Sequence, residues 1–282
     1  MTLTGLHVPM ITPFAADGSV AVPALERLAH EVLDAGAAGI VALGTTGEPA
    51  SLTPDERRTV LETCAGVCRD RSAPLIAGAG TNATASSADD LLALAGRPEI
   101  AAALVVVPYY TRPSEAGVVA HFERLAAISP VPIVIYNIPY RTGRPLGFET
   151  LLRLAAIPGV TGFKHAVGGI DEDTVRFMAA RPEGCSVLCG DDLFLAPLLA
   201  MGASGGILAS AHLRTSDFAA LIAGADPAGS AGGGAGHGSL AHSLARTSAA
   251  LFEAPNPVGV KAALHAEGRI PTRDVRLPLL AE

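Results

Sequence analysis

Hydrophobic positions follow two alternating patterns along the chain. Short, nearly unbroken apolar runs occur at 6–12 (LHVPMIT), 39–44 (GIVALG), 74–80 (PLIAGAG), 101–108 (AAALVVVP), 132–137 (PIVIYN), 160–165 (VTGFKH), 186–190 (SVLCG) and 205–210 (GGILAS). Such runs, several rich in Val and Ile, suit strands covered on both faces, as in a parallel sheet. Between them lie segments with the period of amphipathic helices. PALERLAHEVLDAG places Leu25, Leu28, Ala29, Val32 and Leu33 on one face and ends at Gly36. TPDERRTVLETCAGV opens with Thr53 as N-cap, Pro54 in the first turn and Glu56 closing a capping box.

Eight strands alternating with about eight helices predict a (β/α)8 TIM barrel, an α/β fold. The competing doubly wound sheet carries a Gly-rich turn after its first strand when it binds a dinucleotide, and TPFAADG is not one. The barrel is expected over residues 1–223. Residues 224–282 exceed what one closing helix needs and predict a C-terminal helical extension, with helices over 239–253 and 256–268. The Gly/Ala-rich stretch 224–239 reads as a flexible surface connection.

With 282 residues, 49% of them hydrophobic, the chain can bury a sizeable core. A formal net charge of -7 without any basic run argues against nucleic acid and anionic membranes as partners. The start, MTLTGLHVPMITPF, reads as a first strand rather than a signal peptide, and no segment has the length of a membrane span. A cytoplasmic location is expected. Cys64, Cys68, Cys185 and Cys189 form two C-x3-C pairs, read as buried small hydrophobes rather than as zinc ligands or disulfides.

In barrels of this kind the active site lies at the C-terminal ends of the strands. The second strand ends in GTTGE, where Thr45, Thr46 and flexible backbone can hold a carboxylate. The fourth ends in PYYTRPS, with Tyr109 and Tyr110, and the fifth in YNIPYRTG, with Tyr136 and Arg141. All four tyrosines of the chain lie in these two segments. The sixth strand carries Lys164 in an apolar run. A buried lysine must find a counter-charge, for which Glu48 or Asp191 are candidates, or give up its proton and become a nucleophile. A lysine nucleophile, a tyrosine proton carrier and a threonine partner form a working set for a 2-oxo acid, through an imine at C2 and an enamine at C3.

At these residues the sequence resembles the dihydrodipicolinate synthase and N-acetylneuraminate lyase family. GTTGE, PYYTRPS, YNIPYRTG, GFKHAVGG, CGDD and EAPNPVGVK resemble the family's motifs in order and spacing, and the similarity runs to DVRLPL near the end. The resemblance implies a (β/α)8 barrel with a helical C-terminal part and a homotetramer built from tight dimers, or a homodimer. It implies Lys164 as the Schiff-base lysine, Tyr136 beside it, and Thr45 and Tyr110 completing a proton relay, with Tyr110 reaching across a dimer interface. It further implies Thr46 at the pyruvate carboxylate, Arg141 at the carboxylate of a second substrate, and Gly190 and Ile207 as backbone positions lining the site.

Arg141 draws the reading toward the synthase branch, because a guanidinium binds a carboxylate through two parallel hydrogen bonds. The expected reaction is condensation of pyruvate with a carboxylated aldehyde such as aspartate semialdehyde, without metal or organic cofactor. The alternative is a related aldolase or dehydratase acting on a keto-deoxy sugar acid or 4-hydroxy-2-oxoglutarate. A non-catalytic ligand-binding barrel would have no need of Lys164, Tyr136 and Thr45 together. Some positions depart from the synthase pattern. His165, where an acidic residue is usual, is expected to titrate near neutral pH or to alter the lysine's field. Tyr140 replaces a small residue and is expected to narrow the pocket or reach a substrate hydroxyl. At the place where many synthases bind feedback lysine, Ser86 and Arg57 replace a carboxylate and a histidine, while Asn82 and Tyr109 remain.

Overall fold

The structure is a computed structural model that describes residues 2–225 and 235–281. Eight parallel strands close into a barrel in chain order: β1 (Gly5–Pro9), β2 (Gly39–Ala42), β3 (Leu75–Gly78), β4 (Ile100–Val106), β5 (Ile133–Asn137), β6 (Val160–His165), β7 (Ser186–Cys189) and β8 (Gly205–Ile207). Each of the eight predicted runs overlaps one of them, with β1 and β4 starting one residue before the run. The helices that follow are α1 (Val22–Asp34), α2 (Pro54–Arg71), α3 (Thr84–Leu92), α4 (Glu115–Ala126), a short α5 (Pro139–Thr142), α6 (Phe148–Ala155), α7 (Glu172–Ala180), α8 (Leu195–Ala200) and α9 (Ala211–Ala223).

Burial explains the elements. In α1, Leu25, Leu28, Ala29 and Val32 are buried. At the start of α2 both halves of the expected capping box form between Thr53 and Glu56, which satisfies two otherwise orphaned N–H groups. The strands separate two cores. Val41, Ile76, Leu104, Val134, Tyr136, Leu188 and Ile207 fill the barrel interior, whereas a larger layer lies between strands and helices. Side chains alternate between the two along each strand. Phe163, between the inward positions 162 and 164, therefore points outward, edge-on to Phe177 of α7 at 5.1 Å.

Beyond the barrel come α10 (Ala235–Leu251) and α11 (Val258–Ala266). Leu244 of α10 and Val260 and Leu264 of α11 join the outer core. Residues 226–234 of the expected surface connection lie outside the described residues, and α10 begins at Ala235, inside the stretch read as loop. Leu240 and Ala241, in the segment expected to be helical, pack against the core, and the helix extends back from there into the stretch read as a linker. Cys64, Cys68 and Cys189 are buried, Cys185 half-buried, and all four are free. Among the described residues no helix is long and apolar enough to cross a membrane.

Candidate active site

Parallel pairing aligns the strand ends that carry the chemistry. Tyr136 of β5 sits between Val106 of β4 and Lys164 of β6, and Lys164 pairs in turn with Leu188 of β7. Both polar side chains face the interior, so the ammonium nitrogen of Lys164 lies 4.3 Å from the centroid of the Tyr136 ring. Lys164 is 5% exposed and, among the described residues, forms no ion pair. Burial lowers its pKa to about 8, and the nearby Asp192, Tyr140 and Asp191 only partly offset that shift. Lys164 therefore gives up its proton far more readily than an ordinary lysine, as a nucleophilic amine requires.

The lysine needs room, and Gly190 supplies it. A Cβ at Gly190 would lie 2.9 Å from both Cγ and Cε of Lys164. The Tyr136 hydroxyl is hydrogen bonded to Thr45, and burial pushes the phenol well above its ordinary value. Tyr136 is therefore a protonated group able to pass a proton on to a stronger base.

Thr45 and Thr46 stand on a single 3-10 turn, Thr45–Gly47. Left-handed residues flank it, Leu43 at φ 57° and Glu48 at φ 53°. Such backbone costs about 1–3 kcal/mol per residue and persists only where surroundings impose it. Here they do. The Leu43 carbonyl occupies the space a Cβ on Gly78 would take, at 2.0 Å. The Thr12 hydroxyl donates to the Gly47 carbonyl at 2.7 Å, and the Glu48 carboxylate forms a buried ion pair with Lys261 of α11, Nζ to Oε1, at 2.5 Å. Glu48 is thus spoken for and is not the counter-charge of Lys164. Asp191 accepts from the Gly168 N–H at 2.7 Å and is not ion-paired with the lysine.

Lys164, Tyr136, Thr46, Arg141, Gly190 and Ile207 line one cavity of about 360 Å³, together with Tyr140 and Asp192. Thr45, Tyr136 and Arg141 also line an adjoining cavity of about 540 Å³. The guanidinium of Arg141 lies 5.5 Å from the Tyr140 ring centroid at the rim. Tyr110 lines neither cavity. It is 87% exposed, with φ 68°.

His165 corrects one expectation. It alternates outward on β6, its Nε2 meets the Thr174 hydroxyl at 2.9 Å, and burial lowers its pKa to about 4. It is a neutral packing residue and does not titrate beside Lys164 near neutral pH. Two site residues escaped the sequence reading. Asp192 is buried, accepts from the Ser210 N–H at 2.6 Å, and has its carboxyl raised to about 6 by burial. Asn256, between α10 and α11, donates from Nδ2 to the Thr46 hydroxyl oxygen at 3.0 Å. Its motif was visible, but contact across so many residues was not. No group of three or more His, Cys, Asp and Glu side chains among the described residues is arranged to hold a metal ion.

Fold and site together define a class: a (β/α)8 barrel whose C-terminal face presents a buried lysine, stacked on a tyrosine and without a counter-ion among the described residues. Comparison with known proteins agrees and goes further. The chain belongs to the dihydrodipicolinate synthetase family, whose sequence pattern it matches over residues 2–282. It is 40% identical over 271 residues to the 4-hydroxy-tetrahydrodipicolinate synthase of Moorella thermoacetica, covering 96% of this chain and 90% of that one. It is 39% identical over 277 residues to the enzyme of the same name from Syntrophus aciditrophicus, covering 98% and 91%. The crystal structure of the chloride-inhibited dihydrodipicolinate synthase from Acinetobacter baumannii complexed with pyruvate superimposes with a TM-score of 0.91, at 34% identity, covering 99% of this chain and 93% of that one.

Proposed function

We propose that this chain is a 4-hydroxy-tetrahydrodipicolinate synthase, condensing pyruvate with aspartate semialdehyde through an imine at Lys164. One observation carries the reading: Lys164 is buried without an ion-pair partner among the described residues, its pKa falls to about 8, and it faces a cavity shared with Tyr136 and Arg141. The neutral amine attacks C2 of pyruvate, and loss of water leaves the protonated imine. Removal of a proton from C3 gives the enamine, whose C3 forms the new bond to the aldehyde carbon. Tyr136, hydrogen bonded to Thr45, carries protons to and from the reacting oxygens. The amino group of aspartate semialdehyde then attacks C2, which releases Lys164 and closes the ring. Thr46 holds the pyruvate carboxylate, the backbone at Gly190 and Ile207 borders it, and Arg141 binds the carboxylate of the aldehyde.

Tyr110 belongs to the same reading as the third member of the relay, donated to a neighbouring subunit. Its exposure and its left-handed backbone beyond its own cavity support a homodimer or a homotetramer of such dimers. A cytoplasmic location is part of the reading, supported by the four free cysteines.

Borohydride reduction in the presence of pyruvate should add the mass of the reduced adduct to the peptide carrying Lys164. Unmodified protein under saturating pyruvate would remove the basis of the reading. Arg141→Ala should raise the KM for aspartate semialdehyde and spare imine formation, since truncating one partner of a desolvated charge pair costs about 2–5 kcal/mol. If neutral or polyhydroxylated aldehydes react as well as the charged one, the aldolase or dehydratase reading takes its place.

A further inference from the structure

The 3-10 turn that bears Thr45 and Thr46 is held from outside the barrel. Lys261 of α11 is fully buried and reaches Glu48 at 2.5 Å and the Asp274 carbonyl at 2.8 Å. The backbone N–H of Arg276 donates to the other Glu48 oxygen at 2.8 Å. The ring of Phe14 lies under both cations, 4.1 Å from Lys261 Nζ and 4.5 Å from the Arg276 guanidinium carbon. The Arg276 guanidinium also binds the Glu56 carboxylate through two hydrogen bonds. These contacts place the start of α11, and with it Asn256, against the turn. Asn256 Nδ2 donates to Thr46 Oγ1 at 3.0 Å, and its Oδ1 is closed off from solvent without a protein partner.

A hydroxyl that accepts from an amide N–H has its own proton free to point elsewhere. We infer that Asn256 is a positioning residue for the 2-oxo acid: its amide turns the Thr46 hydroxyl into a donor aimed at the pyruvate carboxylate, and the Glu48–Lys261 latch keeps the two in register. The inference rests on the reading of Lys164 as the imine-forming residue. It makes the C-terminal helices a component of carboxylate recognition, supplied from 210 residues away in sequence.

The test is steady-state kinetics with pyruvate and aspartate semialdehyde, preceded by borohydride trapping of the wild type. Failure of that trapping refutes the reading of Lys164 and leaves the positioning claim without a reaction. With trapping established, Asn256→Ala should raise the KM for pyruvate about 3- to 10-fold, the range of one neutral hydrogen bond, with kcat and the aldehyde KM little changed. In a Thr46→Val background the same substitution should add nothing. Asn256→Asp should act more strongly, because an ionised carboxylate takes the Thr46 proton for itself and repels the pyruvate anion. Its defect, taken as a ratio to wild type at each pH, should shrink as pH falls and the new carboxyl is protonated. A purely structural role would move the melting temperature and both KM values together and show no such pH rescue. An Asn256→Asp enzyme with wild-type pyruvate KM would mean that the Thr46 hydroxyl donates to residue 256, and would overturn the inference. So would an unchanged effect of Asn256→Ala in the Thr46→Val background.

Discussion

Two lysines in this protein are buried over an aromatic ring, and their environments differ in one respect. Lys164 lies 4.3 Å from the Tyr136 ring centroid and Lys261 lies 4.1 Å from that of Phe14. Lys261 has a carboxylate at 2.5 Å, and Lys164 has none within an ion pair's reach among the described residues. Burial lowers the pKa of both, but at Lys261 the Glu48 carboxylate opposes it directly through charge and hydrogen bond. At Lys164 the opposing carboxylates are more distant and the pKa settles at about 8. Burial alone thus makes no nucleophile. The deciding feature is whether the fold delivers a counter-ion, and here it delivers Glu48 to Lys261 and none to Lys164 among the described residues.

The sharpest way to test the contrast is to remove each lysine in turn. Lys164→Met should abolish turnover and pyruvate trapping altogether, yet stabilise the fold. The folded chain holds that proton less tightly than the unfolded one, whose pKa is 10.5 against about 8. The native state is therefore penalised in full below about pH 8, and the penalty fades as pH rises to 10.5. At neutral pH that amounts to about 2–4 kcal/mol, so urea unfolding at pH 7 should show a gain for the variant that shrinks toward pH 10. A variant no more stable than wild type would mean that Lys164 is better compensated than its surroundings indicate.

Next in size is the ring beside Lys164. Tyr136→Phe should keep the cation–ring contact and lose the proton carrier, lowering kcat by about 100- to 10,000-fold without unfolding the barrel. An unchanged kcat would assign proton transfer elsewhere.

Lys261→Met should do the opposite of Lys164→Met. It leaves Glu48 buried and unpaired, a loss of about 3–5 kcal/mol, whereas removing both charges with Glu48→Gln restores much of it. Denaturant midpoints of the two variants measure the difference. Equal stability of single and double variants would show that the pair is not coupled.

The smallest expected effect concerns regulation at the adjoining cavity. Ser86 is exposed and carries no charge, and Arg57, which lines that cavity, pairs with Asp90 at 3.4 Å. A cation already occupies the neighbourhood and the resemblance supplies no carboxylate for an incoming ammonium. Free lysine should inhibit about 10- to 100-fold more weakly than in a synthase that has that carboxylate, the value of one charged hydrogen bond. Inhibition at micromolar lysine in an initial-rate assay would show that another acid, Asp89 or Asp90, has taken the role.

Much of this was legible in the chain itself. Strand runs and helix faces are local, set by side-chain periods of about 2 and 3.6 residues. The capping box of Thr53 and Glu56 is likewise local, and it forms as its spacing indicated. Lys164, Tyr136, Thr46 and Arg141 could be brought to one face because a parallel barrel puts every strand's C-terminal end on the same side. His165 was harder to place. Adjacency in sequence to Lys164 suggested shared chemistry, but in a strand neighbouring residues face opposite sides, and His165 packs outward near Phe177. Glu48 misled in a related way: it lies close to Thr45 and Thr46, yet its partner is Lys261, 213 residues further along.

By itself the sequence determined what repeats or is local: eight apolar runs, the amphipathic faces between them, and the strand end on which each candidate group stands. Tertiary structure alone decided which charges would meet. Period and capping act within a few residues, so they can be read from the chain. The pKa of a buried amine depends on the burial and the charges around it in space, and those around Lys164 and Lys261 are set by the closure of the barrel and by the docking of α11 and the segment after it against the turn at Thr45–Gly47.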